Sequence, residues 1–447
     1  MSDILVIGAG RSASTLIKYL AEYCVHSSST LTIADLNFEL AKEKCENHEH
    51  CTPLALDIAD QAALDSAIEG RDVVVSMVPA HMHLGVAKTC LAHGTHMVTA
   101  SYLTPEMLEL DGGVKEKNLV FLNECGLDPG IDHMSAMKLL DELRDQGAVI
   151  TLFESFTGGL VSPESEGDNP WRYKFTWNPR NVVLAGQGGA VKFIQEGKYK
   201  YIPPHQVFRR TELLEVAGLG TFEGLANRDS LKYTATYGLD DVHTMYRGTL
   251  RRPGFARAWD VFVKLGMTDD SYTIENTNEL TFREFTNLFL AYNPHDSVEL
   301  KLWHYLGIPQ DSELIHKLKW IGLFSNDTFP FERATPAKCL EYLLSQKWTL
   351  EEDDIDMIVM LHKVGYIMNG EEKMIQSTLA AYGDDQVHTA MSKTVGLPLA
   401  IAVENLLDHR DFYKPGVQLP TTKEWYNPIL MELADSYDFR FVEEELE

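Results

Sequence analysis

Apolar residues fall along this chain in two textures. Up to about residue 130, short aliphatic runs alternate with stretches of helical spacing. Ile4-Leu5-Val6-Ile7, Leu31-Thr32-Ile33-Ala34, residues 52–56, Val73-Val74-Val75, 96–100 and 119–123 read as strands. Helices are expected over 39–45, up to 68, over 84–93 and over 105–109. Runs with no polar alternation suit parallel strands buried on both faces. Six of them joined by helical crossovers predict a Rossmann doubly wound parallel sheet. Ligands of such a sheet sit beyond the carboxyl ends of the strands, here the loops 79–81, 101–102 and 124–130.

Beyond about residue 148 the pattern changes. Arg172-Tyr173-Lys174-Phe175-Thr176-Trp177 alternates strictly, as a half-buried antiparallel strand does. Further strands and turns are expected over 201–216 and 230–248, and helices from 280 to 348. There Leu314, Ile315, Leu318 and Ile321 form one stripe behind the capping candidate Asp311. Strands return over 356–366 and 373–382, and a last, very apolar helix covers 397–407. The fold class is α/β, a Rossmann domain plus an α/β substrate and dimerisation domain with a helical insertion. The expected divisions are 1–130 (dinucleotide binding), 131–279 (α/β), 280–350 (helical), 351–392 (return to α/β) and 393–447 (packing back on the first domain).

Composition narrows the function classes. At 447 residues the chain exceeds a single core. A net charge of −27 argues against nucleic acid or anionic membranes as partners. No stretch has the length of a membrane span, and a strand starting at residue 3 leaves no room for a signal peptide. Six scattered cysteines are too few for a disulfide framework, so a reducing cytoplasm is the expected setting.

The candidate chemistry begins where the first strand ends. Gly8, Gly10 and Ala13 have the G-x-G-x-x-A spacing of a dinucleotide-binding βα turn. Gly8 permits the turn, Gly10 admits a pyrophosphate, and Ala13 lets the helix pack on the strand. Arg11 and Ser12 then lie at the helix N-terminus, which favours an anion. Asp35 ends the second run, where an acid accepts the adenosine ribose hydroxyls and repels a 2′-phosphate, which favours NAD over NADP. Asn123-Glu124-Cys125-Gly126-Leu127-Asp128-Pro129-Gly130-Ile131-Asp132-His133 gathers carboxylates, a thiol and an imidazole at one strand end. Asp132 is assigned to capping a helix from Met134, and Asp128 to a substrate. Arg228 and the run Arg247-Gly248-Thr249-Leu250-Arg251-Arg252 supply guanidinium forks suited to carboxylates. Cys45, His48, His50 and Cys51 resemble a zinc set, but they lie in a peripheral connection, and no metal is expected. His81 and His83 are expected on a loop rim.

These segments together resemble the saccharopine reductase branch of the saccharopine dehydrogenase family. The likeness is carried by GAGRSA at the start, SMVP (76–79), ASYLTPE (100–106), NECGLDPGIDH (123–133) and GGL (158–160). Downstream it is carried by DNPWRYKFTW (168–177), ANRDS (226–230), YRGTLRRPGF (246–255), STLAAYG (377–383) and TVGLPLAIA (394–402). The resemblance implies a homodimer and a reversible oxidation of the secondary amine of saccharopine, giving L-glutamate and 2-aminoadipate 6-semialdehyde. By matching position, it implies substrate contacts at Ser101, Tyr102, Asp128, Arg228, Thr249, Leu250 and Arg251, with Asp128 and Tyr102 the candidates for catalysis. Cofactor contacts are implied at Gly10, Arg11, Ser12, Ala13, Asp57, Ile58, Ala100, Gly126, Leu127 and Asp128, with Gly8, Asp35 and Val78 beside them. Two departures stand out. Asp35-Leu36 replaces the basic residue of NADP-using members, and Asn178-Pro179 replaces serines that some members place near the cofactor. Related carbon–nitrogen dehydrogenases (carboxynorspermidine or lysine 6-dehydrogenase types) and a non-catalytic NAD-binding regulator are the alternatives.

Overall fold

The computed structural model describes residues 2–46, 48–309 and 312–446. Two compact units divide the chain, Met1–Val149 with Leu379–Val442, and Ile150–Thr378 with Glu443–Glu447. The first division therefore falls at Val149 rather than at 130. The reason is the helix Ile131–Asp145, which packs against Lys423–Tyr437 and shares the Tyr426–Asp141 hydrogen bond at 2.8 Å.

In the first unit the strands β1 (Asp3–Ile7), β2 (Thr30–Asp35), β3 (Cys51–Ala55), β4 (Val73–Ser76), β5 (His96–Thr99) and β6 (Val120–Leu122) are all parallel. Their order is β6-β5-β4-β1-β2-β3, so the order of strands reverses between β4 and β1, the switch point of the sheet. A seventh strand, Gly416–Gln418, adds to β6 in parallel register. Six strands were expected. The seventh has only three residues, too short for a periodicity to show. Interior positions of β1 and β4 are fully buried aliphatics, as strands covered by helices on both faces require. The apolar helix expected over 397–407 runs from Ala390 to Asp408. Thr389 caps it by accepting from Ser392 N (3.0 Å), and it is not the last helix, because Lys423–Tyr437 follows.

The second unit is built on a mixed sheet. From one edge its order is Thr211–Val216, Gly220–Ala226, Thr244–Arg251, Val149–Val161, Asp356–Met368, Glu371–Tyr382 and Val442–Leu446, with a hairpin (Val191–Gln195, Lys198–Ile202) joined to Thr244–Arg251. Helices Phe282–Leu288, Val298–Leu306, Glu313–Trp320 and Pro336–Trp348 share one apolar core with this sheet, so 280–350 is not a separate body. Ile315, Leu318 and Ile321 are buried as the stripe predicts. Asp311 lies outside the described residues, and the cap of Glu313–Trp320 is Ser312.

The segment 172–177 is not a strand. Tyr173 and Phe175 point inward because their rings meet Trp348 edge-on, at 5.1 and 5.3 Å between centroids. Phe175 N donates to Trp348 O (2.7 Å), and Arg172 has φ +51°, which breaks any ladder. Alternation here reports an aromatic anchor. Cys45 and Cys51 are joined in a disulfide, contrary to the expectation of thiols throughout. The turn between the helix Phe38–Cys45 and β3 brings their Cα atoms to 5.3 Å, inside the range a disulfide spans. The other four cysteines are buried thiols.

Candidate functional site

The carboxyl ends of β1, β2, β4, β5 and β6 carry the residues singled out above. Gly8 leaves β1 with φ +108°, and a Cβ on it would lie 2.7 Å from Met77 O, so only glycine fits. Gly10 differs. It has ordinary φ −64°, and a Cβ there would meet no protein atom within 4 Å. Its side is open space at the start of the turn Arg11–Ala13, which leads directly into the helix Ser14–Ser27. A pyrophosphate fits that cradle, with the first N–H groups of the helix facing it and Arg11 exposed beside it. Ser12 is half-buried, and Ala13 is buried under the turn.

Asp35 closes the cradle at the β2 end. Its Oδ2 accepts from Ala9 N (2.8 Å) and its Oδ1 from Asn37 N (2.9 Å), so one carboxylate fixes both the glycine turn and the start of the next helix. The cap of that helix is Asn37. The two remaining acceptor positions on Asp35 suit ribose hydroxyls. Asp57 lies exposed after β3 and accepts from Ala59 N (2.9 Å); Ile58 and Val78 are half-buried against the core of this unit.

At the ends of β5 and β6 two loops interlock. Ser101 N donates to Thr99 Oγ1 (3.2 Å), and Tyr102 OH donates to Asp128 Oδ1 (3.3 Å), so the two catalytic candidates touch. The 126–130 segment is a tight coil. Gly126 N donates to Pro129 O (2.9 Å), Ile131 N to Gly126 O (2.8 Å), and the Asp128–Pro129 peptide is cis. A side chain on Gly130 (φ +149°) would collide with Gly126 at 2.0 Å, and one on Gly126 would lie 2.8 Å from Ala100 Cβ. Leu127 is buried. Asp132 does not cap a helix from Met134. The helix begins at Ile131, and Asp132 Oδ1 instead accepts from Gly130 N (2.6 Å) inside the first turn. Cys125 is fully buried with its Sγ toward Pro398 O, and burial pushes its thiol well above the ordinary range, which makes it a poor nucleophile. His83 is not on a rim. It is buried beside Ser76 Oγ (2.8 Å), and burial pulls its imidazole down to about 4.

In the second unit, Thr249, Leu250 and Arg251 end the strand Thr244–Arg251. Leu250 is wholly buried in the core, so its side chain packs rather than reaches a ligand. Thr249 is half-buried. Arg251 is 9% exposed, with its guanidinium 5.0 Å from the Tyr173 ring centre and 5.4 Å from that of Phe255. Its Nη1 donates to Leu250 O (2.8 Å), and among the described residues no carboxylate lies within ion-pair distance. Burial lowers the pKa of this guanidinium, and Tyr173 acts in the opposite sense. A buried cation without a counter-charge is costly, and an anionic ligand would supply one. Arg228 stands exposed just past Gly220–Ala226 with φ +49°, and its carbonyl accepts from Lys192 N (3.1 Å).

Comparison with known proteins points to one family. The profile for the saccharopine dehydrogenase NADP binding domain matches residues 4–122, and that for the saccharopine dehydrogenase C-terminal domain matches 126–438. The chain belongs to the saccharopine dehydrogenase family. A saccharopine dehydrogenase (NADP(+), L-glutamate-forming) of Pyricularia oryzae is 31% identical over 445 residues, covering 97% of each chain. The mitochondrial alpha-aminoadipic semialdehyde synthase of Mus musculus is 34% identical over 441 residues, 96% of this chain but 46% of that protein, so this chain spans about half its length. An apo saccharopine dehydrogenase (L-Glu forming) from Saccharomyces cerevisiae superposes with a TM-score of 0.89 at 29% identity over 100% of both chains. Two features lie outside what spacing can reveal, Tyr173, whose face covers Arg251, and the buried links of Glu124 and His133. Both arise from contacts between segments that spacing does not connect.

Proposed function

We propose that this chain catalyses the reversible nicotinamide-dependent interconversion of saccharopine with L-glutamate and 2-aminoadipate 6-semialdehyde. Full-length likeness to enzymes so named supports the reading. The structural observation that carries it is Arg251, a buried cation with no carboxylate within ion-pair distance among the described residues, at a position the family resemblance gives to the substrate. A bound nicotinamide would supply the hydride-acceptor chemistry for oxidation of the C–N bond of the secondary amine, and water adding to the resulting C=N bond would release the amine of glutamate and the aldehyde. The chain's own residues position. Arg251 and Arg228 would bind carboxylates of the substrate. Asp128 would hold the nitrogen and take its proton, with Tyr102 donating to the Asp128 carboxylate and orienting it. The cradle of Gly8, Gly10 and Asp35 would hold the dinucleotide.

Within this proposal the cofactor is NAD. The relatives' names carry NADP(+), but an acidic residue at the end of β2, here Asp35, would repel a 2′-phosphate, which supports NAD. A homodimer completes the reading, and sedimentation of the purified chain tests that part. Steady-state assays with saccharopine and each cofactor test the rest. Turnover with a higher kcat/KM for NAD is expected. Absence of turnover with either cofactor would remove the substrate assignment, and a clear NADP preference would remove the role given to Asp35 alone.

A further inference from the structure

Three ionisable side chains that the proposed reaction does not use lie directly behind the Asp128 loop. Glu124, Asp132 and His133 are each no more than 1% exposed. His133 Nε2 pairs with Glu124 Oε2 at 2.8 Å, and His133 Nδ1 faces Asp132 Oδ2 at 3.8 Å, so one ring stands between two carboxylates. The far oxygen of each carboxylate holds a backbone amide of a different loop. Glu124 Oε1 accepts from Leu103 N (2.8 Å), next to Tyr102. Asp132 Oδ1 accepts from Gly130 N (2.6 Å), two residues after Asp128. Glu124 N also donates to Ser101 O (3.1 Å), and Glu124 has φ +56°, a conformation that a side-chain-bearing residue keeps only where its surroundings enforce it.

The chain of contacts therefore runs from Leu103 N through Glu124, His133 and Asp132 to Gly130 N. It joins the two loops whose tips meet in the Tyr102–Asp128 hydrogen bond. Burying two carboxylates this completely is costly unless every lone pair and the charge are answered, and a lone apolar filling would have been cheaper. What the arrangement provides is registration, since a shift of either loop must break a charge-assisted hydrogen bond in a buried setting.

We propose that His133 is a positioning residue that locks the 101–103 loop to the 126–130 loop through Glu124 on one side and Asp132 on the other. The locking stands on the structure alone; its effect on turnover rests on the reaction proposed above. The two arms of the lock can be cut separately. His133→Gln places its amide where Nε2 stood and keeps the Glu124 arm. His133→Asn places its amide near Nδ1 and keeps the Asp132 arm.

The test is amide hydrogen exchange on the full-length protein without ligands. In His133→Asn, which loses the hydrogen bond to Glu124, the 101–103 amides should exchange roughly tenfold faster while 126–130 keep their protection; His133→Gln, which loses only the longer contact to Asp132, should give a smaller acceleration confined to 126–130. Should either variant fail to fold, Glu124→Gln, which keeps an acceptor for Leu103 N, is expected to loosen 101–103 to a lesser degree. Unchanged exchange at both loops overturns the proposal. So does an equal acceleration across β1–β6, which would make the ring part of general core packing. In parallel, the KM for saccharopine should rise about tenfold in both His133 variants with cofactor affinity within about twofold of wild type. Wild-type protein that does not turn over saccharopine would remove the proposed reaction and leave the exchange result to stand or fall by itself.

Discussion

Replacing Arg251 by methionine keeps most of the side-chain volume and deletes a buried charge that has no ion-pair partner among the described residues. Two opposite effects follow. The folded protein loses the face contacts to Tyr173 and Phe255 and one hydrogen bond to Leu250 O, together about 1–3 kcal/mol. It also escapes the cost of desolvating an uncompensated guanidinium, several kcal/mol. The second term is the larger, so Tm should hold or rise by a few degrees. Substrate binding loses a charge-assisted contact of roughly 1.5–3 kcal/mol, which is a rise in saccharopine KM of about 10- to 150-fold. The assay is thermal unfolding without ligand beside steady-state kinetics with saccharopine varied. A variant whose Tm drops sharply while KM stays put would refute the reasoning, because it would make Arg251 a structural cation.

The two turn glycines should separate folding from cofactor binding. Gly8→Ala, with its Cβ forced against Met77 O, should unfold at markedly lower temperature, whereas Gly10→Ala should melt like wild type and lose affinity in a cofactor titration. Asp35→Ser, which removes the carboxylate's charge, should shift the kcat/KM ratio toward NADP by at least about tenfold; an unchanged ratio would take Asp35 out of cofactor selection. Stability should also fall in acid. Burial holds His83 and His96 at about 4, below the ordinary histidine value of about 6.5, so the unfolded chain binds protons first. Stability present above pH 6.5 is then lost as pH falls toward 4. His96→Asn, which keeps an acceptor for Val120 N, should flatten that slope in urea titrations at stepped pH.

Legibility in the sequence followed the range of the contacts involved. β1, its glycine turn and β2 were readable because strand, turn and acid lie within one βα unit, and each position is dictated by its immediate neighbours. The segment 172–177 misled because alternation was imposed by Trp348, far along the chain, and not by a ladder. Asp132 was assigned to a cap on local grammar, yet its acceptor oxygen is claimed by Gly130. The sequence names Arg251 as a carboxylate binder, but its burial against Tyr173 and the absence of an ion-pair partner among the described residues appear only in three dimensions. The Cys45–Cys51 bond belongs to the same class, since a tight corner rather than cysteine abundance brought the sulfurs together.

The strand Gly416–Gln418 and the helix Ala390–Asp408 also set a timetable. The helix lies along Ser14–Ser27, and the strand completes the edge beside β6, so the first unit is sewn from two distant stretches of the chain. During synthesis its first 149 residues must wait for more than 200 others before their final partners leave the ribosome. Closing so long a loop makes this unit the slow one to mature. A fragment ending at Val149 should accordingly remain loosely folded, and should recover cofactor binding when a separate 379–442 peptide is added to it.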